Sequence, residues 1–224
     1  MIKPKSIFVY ADWVGLPQPT LMGVLSATLS RGKEIMSFEY DAQWLSNHAY
    51  HSLDPALQLF HGPQYPKDNQ DNFGLFLDSS PDRWGRFLMN RRESQIAKQE
   101  KRAARKLLES DYLLGVYDEH RMGALRFKTN PTGPFLDHNK AYSAPPYTEL
   151  QTIEHACLSI EKENAETKSD YLKWLTMLIA PGGSLGGARP KASVVDKQKH
   201  PWIAKFPSSH DEFDIGAWEM VAQR

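Results

Sequence analysis

The first forty residues hold three runs of strand character, SIFVYADW, LMGVLSATL and EIMSFEY, rich in β-branched and aromatic side chains. Gly15 and Pro17 punctuate the first junction, and the Arg31-Gly32-Lys33 turn marks the second. Connections this short return a chain antiparallel to itself, because parallel pairing needs a crossover of a dozen residues or more. The simplest arrangement is a meander, which removes the all-helical classes and points to an α+β chain.

Helical patterns follow. DAQWLSNH and the segment around Leu53 to Phe60 read as short helical or irregular connections, and HGPQYPKDNQDN as a polar loop of turn residues. The run from Asp78 to Glu93 predicts a helix with Ser80 at the cap and Pro81 in the first turn, with Trp84, Phe87 and Leu88 on one side. Between Ile96 and Leu108, at about 100° per residue, Lys98, Lys101, Arg102, Arg105 and Lys106 fall within an arc of roughly 140°, opposite apolar positions. The expectation there is an amphipathic helix with a basic outer face. DYLLGVYDEHRMGALRF then predicts a helix end or turn at Gly115 and a strand through Leu125 and Phe127.

NPTGPFLDHNKAYSAPPY carries four prolines and no periodicity, so the chain divides into a first unit at 1–130, a linker at 131–147 and a second unit at 148–224. Thr148 is the predicted cap of the next helix. Leu150, Ile153, Cys157 and Ile160 recur at helical spacing in it, as do Tyr171, Leu172, Leu175, Leu178 and Ile179 in the one after.

Composition narrows the partners. Lys plus Arg and Asp plus Glu number 27 each, so overall charge does not argue for nucleic acid or an anionic membrane. The single Cys157 cannot close an internal disulfide, and MIKPKSIFVYADWVG has no apolar run long enough for a secretion signal, which leads us to expect a cytoplasmic chain. No stretch approaches the roughly 18 consecutive apolar residues of a membrane span.

The chemistry concentrates in GGSLGGARPKASVVD, Gly182 to Asp196, and in WIAKFP, Trp202 to Pro207. Neither the Walker loop nor the G-x-G-x-x-G fingerprint fits, since Gly187 is followed by Ala188 and the glycines come as two adjacent pairs. A looser arrangement of glycine-rich turn, strand lysine and helix glutamate does fit. WIAK places Lys205 on a strand, and Glu219 follows in IGAWEMVA, a predicted helix. Glycine N–H groups can approach phosphate oxygens without Cβ interference, and a lysine adds a point charge. On spacing alone the plainer reading of the stretch is a glycine hairpin with two surface lysines.

In order along the chain, VYADWVGLPQPTLMGVL, SFEYDAQWL, the run from Phe73 to Arg86, LLGVYDEHRMGALRF, SLGGARPK, WIAKFPS and D-x-x-D-x-x-x-WE resemble the HipA-like serine/threonine kinases of bacterial toxin–antitoxin modules. The resemblance implies a small mixed amino-terminal subdomain followed by an incomplete protein-kinase-like N-lobe with a glycine-rich loop. It implies that Ser184, Leu185, Gly186, Gly187 and Ala188 belong to a nucleotide loop running to Lys191, that Lys205 anchors ATP, and that Glu219 can pair with Lys205. Ser184 matches the serine that family members phosphorylate on themselves, which ejects the loop; a phosphoserine carries close to two negative charges, so repulsion from ATP phosphates gives that switch a physical cause. Arg189-Pro190 departs from the polar pair of some relatives, and Pro190 stiffens the turn.

The family's catalytic aspartate and magnesium ligands lie in a larger carboxyl-terminal lobe, and no such segment follows Glu219. The expectation is that this chain is the amino-terminal portion of such a kinase and does not catalyse alone. In the complete enzyme ATP and magnesium would serve to phosphorylate a protein target such as an aminoacyl-tRNA synthetase, under restraint by a HipB-like, DNA-binding antitoxin. The competing expectation is a non-catalytic module that docks on a separate kinase lobe or antitoxin.

The remaining candidates have plainer readings. His48, His51 and His61 lack the ordered carboxylates or cysteines that would complete a metal site. Cys157 lies on an apolar helix side and reads as core. Asp211, Glu212 and Asp214 precede a predicted helix, where acidic residues favour the dipole. Lys98, Lys101, Arg102, Arg105 and Lys106 could touch DNA phosphates or an acidic partner, or form a solvated helix face.

Overall fold

The computed structural model describes residues 4–48, 52–140, 149–182 and 187–222. The chain is α+β and forms two compact units, one from Met1–Ser80 with Leu108–His138, the other from Pro81–Leu107 with Asn139–Arg224.

The first unit is built on four antiparallel strands, β1 (Lys5–Ala11), β2 (Thr20–Ser30), β3 (Lys33–Tyr40) and β4 (Leu125–Lys128), in the order β3-β2-β1-β4. The expected meander is therefore present. Ser30 pairs with Lys33 across a two-residue loop whose Arg31 and Gly32 both have positive φ, 49° and 79°. That is the turn geometry whose twist matches paired strands. Gly23 lets β3 come close: a Cβ there would lie 2.3 Å from the Glu39 carbonyl oxygen.

One sheet face is apolar through Ile7, Val9, Leu25, Ala27, Met36, Phe38, Leu125 and Phe127. Three short helices, α1 (Ala42–His48), α2 (Gly74–Asp78) and α4 (Glu109–Leu114), supply Trp44, Phe76 and Leu113 to the same core. Gly115 ends α4, as expected. Arg121 crosses this unit almost fully buried. Its guanidinium donates to the carbonyls of Ser79 (2.7 Å), Leu113 (2.8 Å), Val116 (3.0 Å) and Leu136 (3.0 Å), and sits 4.6 Å from the Phe127 ring centre. One side chain thus satisfies carbonyls from four loop or helix ends.

The second unit packs α3 (Arg83–Gln99), α5 (Leu150–Glu161) and α6 (Tyr171–Gly182) around Trp84, Leu88, Ile153, Cys157, Ile160, Tyr171, Leu175, Leu178 and Ile179. A two-stranded antiparallel ribbon, β5 (Lys191–Val195) and β6 (Pro201–Lys205), lays Ala192 and Val194 on that core, and α7 (Ile215–Ala222) follows. The helical spacings at 150–160 and 171–179 thus correspond to α5 and α6. The predicted cap Thr148 lies outside the described residues. Although α3 lies inside 1–130, its apolar side packs on α6 of the second unit.

Two local expectations are corrected. Asp82, not Ser80, caps α3: its side chain accepts from the Arg83 N–H, while the buried Ser80 hydroxyl donates to the Phe76 carbonyl at 2.8 Å. Ser80 is thus occupied by the end of α2, which leaves the next capping side chain to start α3.

The single basic helix from Ile96 to Leu108 does not form either. α3 ends at Gln99, and Lys101 has φ +53°, a left-handed conformation that breaks the helix. The cause is Glu93, buried on α3. It accepts from Arg102 Nη1 at 2.6 Å and from the Arg105 N–H at 3.0 Å, while Arg102 Nε reaches Glu100 at 2.6 Å. A buried carboxylate must be partnered, and folding the chain back supplies its donors. Lys98 stays in the last turn of α3, whereas Lys101, Arg102, Arg105 and Lys106 are on non-helical chain.

Candidate functional site: a glycine turn and two strand lysines

The β5–β6 ribbon brings the two lysines of the sequence together. In its ladder Lys191 stands directly opposite Lys205, followed by Ala192–Ala204, Ser193–Ile203, Val194–Trp202 and Val195–Pro201. Asp196 builds the turn that joins the strands. Its carboxylate accepts from the N–H groups of Gln198 (2.9 Å) and His200 (2.8 Å), contacts His200 Nδ1 (3.1 Å) and accepts from the Trp202 indole (3.2 Å). Against its partial desolvation these donors hold the carboxyl below its usual range. Motif spacing does not single out Asp196; the signal that could find it is an Asp four residues before a His within a polar break between two apolar runs.

Lys205 leaves the end of β6 and meets Glu219 of α7, Nζ to Oε2 at 2.8 Å. Both side chains are largely exposed, 55% and 40%, so the pair adds little to stability and mainly fixes direction. Asp214 caps α7 by accepting from the Ala217 N–H at 3.0 Å, which is the role expected of the acidic residues there. Asp211 instead takes the Arg189 guanidinium and the Ser208 N–H (3.0 Å), and these donors, Ser208 foremost, keep its carboxyl below the usual range. Glu161 at the end of α5 pins the chain after β6, accepting from the Ser208 hydroxyl (3.0 Å) and from the Ser209 N–H (2.6 Å) and hydroxyl (2.9 Å).

A cavity of about 440 Å³ lies among these groups, lined by Arg189, Lys205, Phe206, Asp211, Asp214 and Glu219. Of the carboxylates that line it, Asp211 is committed to Arg189, Asp214 to the α7 cap and Glu219 to Lys205, and Glu154 also borders it. Among the described residues no group of three His, Cys, Asp or Glu is placed to hold a metal ion.

Lys191 is unlike Lys205. It is 6% exposed, and among the described residues its ammonium has no hydrogen-bond partner. Burial pushes its pKa down; the positive charges of Lys205 and Arg189 add to this, and Asp82 opposes it. The Nζ lies 3.0 Å from where a Cβ on Gly187 would be. Gly187 itself has φ +101°, which an L side chain rarely adopts. The start of α3 grips it from both sides: its N–H donates to Asp82, and its carbonyl accepts from the Trp84 N–H at 3.3 Å.

Of the loop residues implied by the resemblance, Ser184, Leu185 and Gly186 lie outside the described residues, as does the predicted autophosphorylation at Ser184. Gly187 and Ala188 are described, and Ala188 is exposed. A buried lysine ammonium with no hydrogen-bond partner among the described residues, beside a glycine with no Cβ, is an arrangement that suits an anion such as a phosphate.

The other candidates resolve structurally. Cys157 is fully buried and its thiol is pushed up to about 12, first by burial and then by Glu161 and Glu154, so it is core rather than nucleophile. His61 contacts Glu39 at 3.4 Å and the Tyr40 carbonyl at 3.2 Å, and the His48 ring lies 4.4 Å from that of Trp44. His51 lies outside the described residues. No helix among the described residues is long and apolar enough to cross a membrane. Comparison of the chain with family models, curated proteins and solved structures finds no match.

Proposed function

We propose that the second unit is the nucleotide-holding portion of a HipA-like protein serine/threonine kinase. The observation that carries this reading is the ion pair between Lys205 at the end of β6 and Glu219 on α7, with Lys191 opposite Lys205 on β5 and Gly187 in the turn that precedes β5. A kinase uses such a pair to aim a lysine at nucleotide phosphates. Lys205 would contact the phosphates, Glu219 would hold it in place, and Gly187 with Lys191 would receive a phosphate oxygen. In that reading Ser184 is the autophosphorylation site. The complete enzyme, with magnesium held outside these residues, transfers phosphate to a protein such as an aminoacyl-tRNA synthetase in the cytoplasm, and a HipB-like antitoxin restrains it.

Thermal stabilisation by ATP tests the reading, since a ligand at 100 times its dissociation constant stabilises by about 2.7 kcal/mol. The expected result is a rise in melting temperature for the native chain and little or none for Lys205→Ala.

A second reading has its own observation. Trp202 and Ile203 on β6 and Trp218, Met220 and Val221 on α7 are each more than half exposed, and clustered exposed apolar residues mark docking surfaces. The chain would then be a regulatory module for a separate kinase lobe or antitoxin. Absence of any ATP-dependent shift in both proteins favours it.

A further inference from the structure

One carboxylate holds Gly187 and acts through its charge on Lys191. Asp82 caps α3 with one oxygen, on the Arg83 N–H, and offers the other to the Gly187 N–H. Lys191 is close enough for its charge to act on Asp82, yet its ammonium makes no hydrogen bond to it. We propose that Asp82 is an internal stand-in for a phosphate: its carboxylate occupies the N–H of Gly187 in the free protein, and an incoming phosphate oxygen must displace it to bind both Gly187 and Lys191. This rests on the nucleotide-site reading and adds to it a residue that the sequence motifs did not assign.

Three features support the idea. The Gly187 N–H is the kind of backbone donor that binds anions, and here it is already taken by an anion of the chain itself. Among the described residues the buried Lys191 ammonium has no hydrogen-bond partner, so these residues leave demand for negative charge after Asp82 is seated. Asp82 is also held in its charged form: despite partial burial, the Gly187 and Arg83 N–H groups and the charges of Lys191 and Arg83 lower its pKa, so it competes as an anion at neutral pH. When phosphate arrives, Asp82 keeps its oxygen on Arg83 and gives up the other contact, so α3 retains its cap.

The test uses Asp82→Asn, which keeps a capping oxygen but loses the charge, and Asp82→Ser, which keeps a cap and loses the second oxygen. ATP affinity is measured for the full chain by titration, with the Gly187 amide followed by NMR. The proposal expects both variants to bind ATP more tightly than the native chain, on the order of three- to tenfold, and the Gly187 amide to shift at lower ATP. Equal or weaker binding in both variants, with melting temperature retained, overturns it and makes Asp82 a supporting residue of the loop.

If no form binds ATP, the nucleotide reading fails and inorganic pyrophosphate decides the proposal. A Gly187 amide that responds at lower pyrophosphate in Asp82→Asn than in the native chain sustains the competition. No response in any form overturns it.

Discussion

Lys191 and Lys205 face each other across the β5–β6 ladder, yet one is 6% exposed without a hydrogen-bond partner among the described residues and the other is paired at 2.8 Å with Glu219. Like charges directly opposite in a ladder are unfavourable. The ribbon keeps both, with Asp82 and Glu219 as nearby negative charges, and in the proposed reading the pair serves a charged ligand.

Lys191 should therefore reduce the stability of the unit that it serves. Lys191→Met keeps the length and removes the buried charge, and is expected to raise the chemical denaturation midpoint while weakening ATP binding at least about tenfold. The pH dependence has a definite sign. Because the folded-state pKa lies below the ordinary lysine value of 10.5, the unfolded chain holds more protons between the two values, and native stability rises with pH through that window. The Lys191→Met chain should lack that rise.

Glu93 gives a slope of the same sign at low pH, but its substitution acts in the opposite direction. Hydrogen bonds from Arg102, then the Arg105 N–H, hold its carboxyl below the usual value of 4.5 against burial. Its stabilisation is present above that value and is lost as pH falls through the depressed folded value. Glu93→Gln should be less stable at neutral pH and should lose less on acidification, as read from denaturation midpoints. It should also loosen 100–107, raising amide exchange there.

Arg121 organises the first unit through four carbonyls and a ring face. Arg121→Met leaves those carbonyls without their donor, and the loss is expected to be at least about 3 kcal/mol. Burial lowers the Arg121 pKa to about 10, so the side chain remains charged at neutral pH. Amide exchange at the buried strand positions Val9, Leu25 and Phe127 during denaturation reads this unit.

Gly23 and Gly187 test two different constraints. Gly23→Ala pushes a Cβ to 2.3 Å from a backbone oxygen of β3, which cannot move without shifting the strand, and should cost about 1–3 kcal/mol. Gly187→Ala places a side chain at φ +101° against Lys191. Its main expected effect is on ATP affinity, with a stability loss of about 1–2 kcal/mol. Melting curves and ATP titrations of both variants separate the two.

What could be read in advance followed local rules. The strands of 5–40 carry period-two patterns and a two-residue turn, and α5 and α6 carry apolar stripes, so each element states its own type. Lys205 and Glu219 were legible together because a strand lysine and a helix glutamate fourteen residues apart span one short connection. The missed features depend on distant partners. Ser80 and Asp82 are both good capping residues, and only the end of α2 decides between them. The basic stripe at 98–106 satisfies helical periodicity, but the demand of buried Glu93 for donors overrides it. Asp82 reaches Gly187 over 105 positions of sequence, which no spacing rule could reveal.

Direct equilibrium titration of the native chain with ATP, beside Lys205→Ala and Glu219→Gln, tests the central claim. The account predicts saturable binding to the native chain, at least about tenfold weaker in Lys205→Ala and weaker to a lesser degree in Glu219→Gln. Equal binding by all three proteins, or none by the native chain, would contradict it.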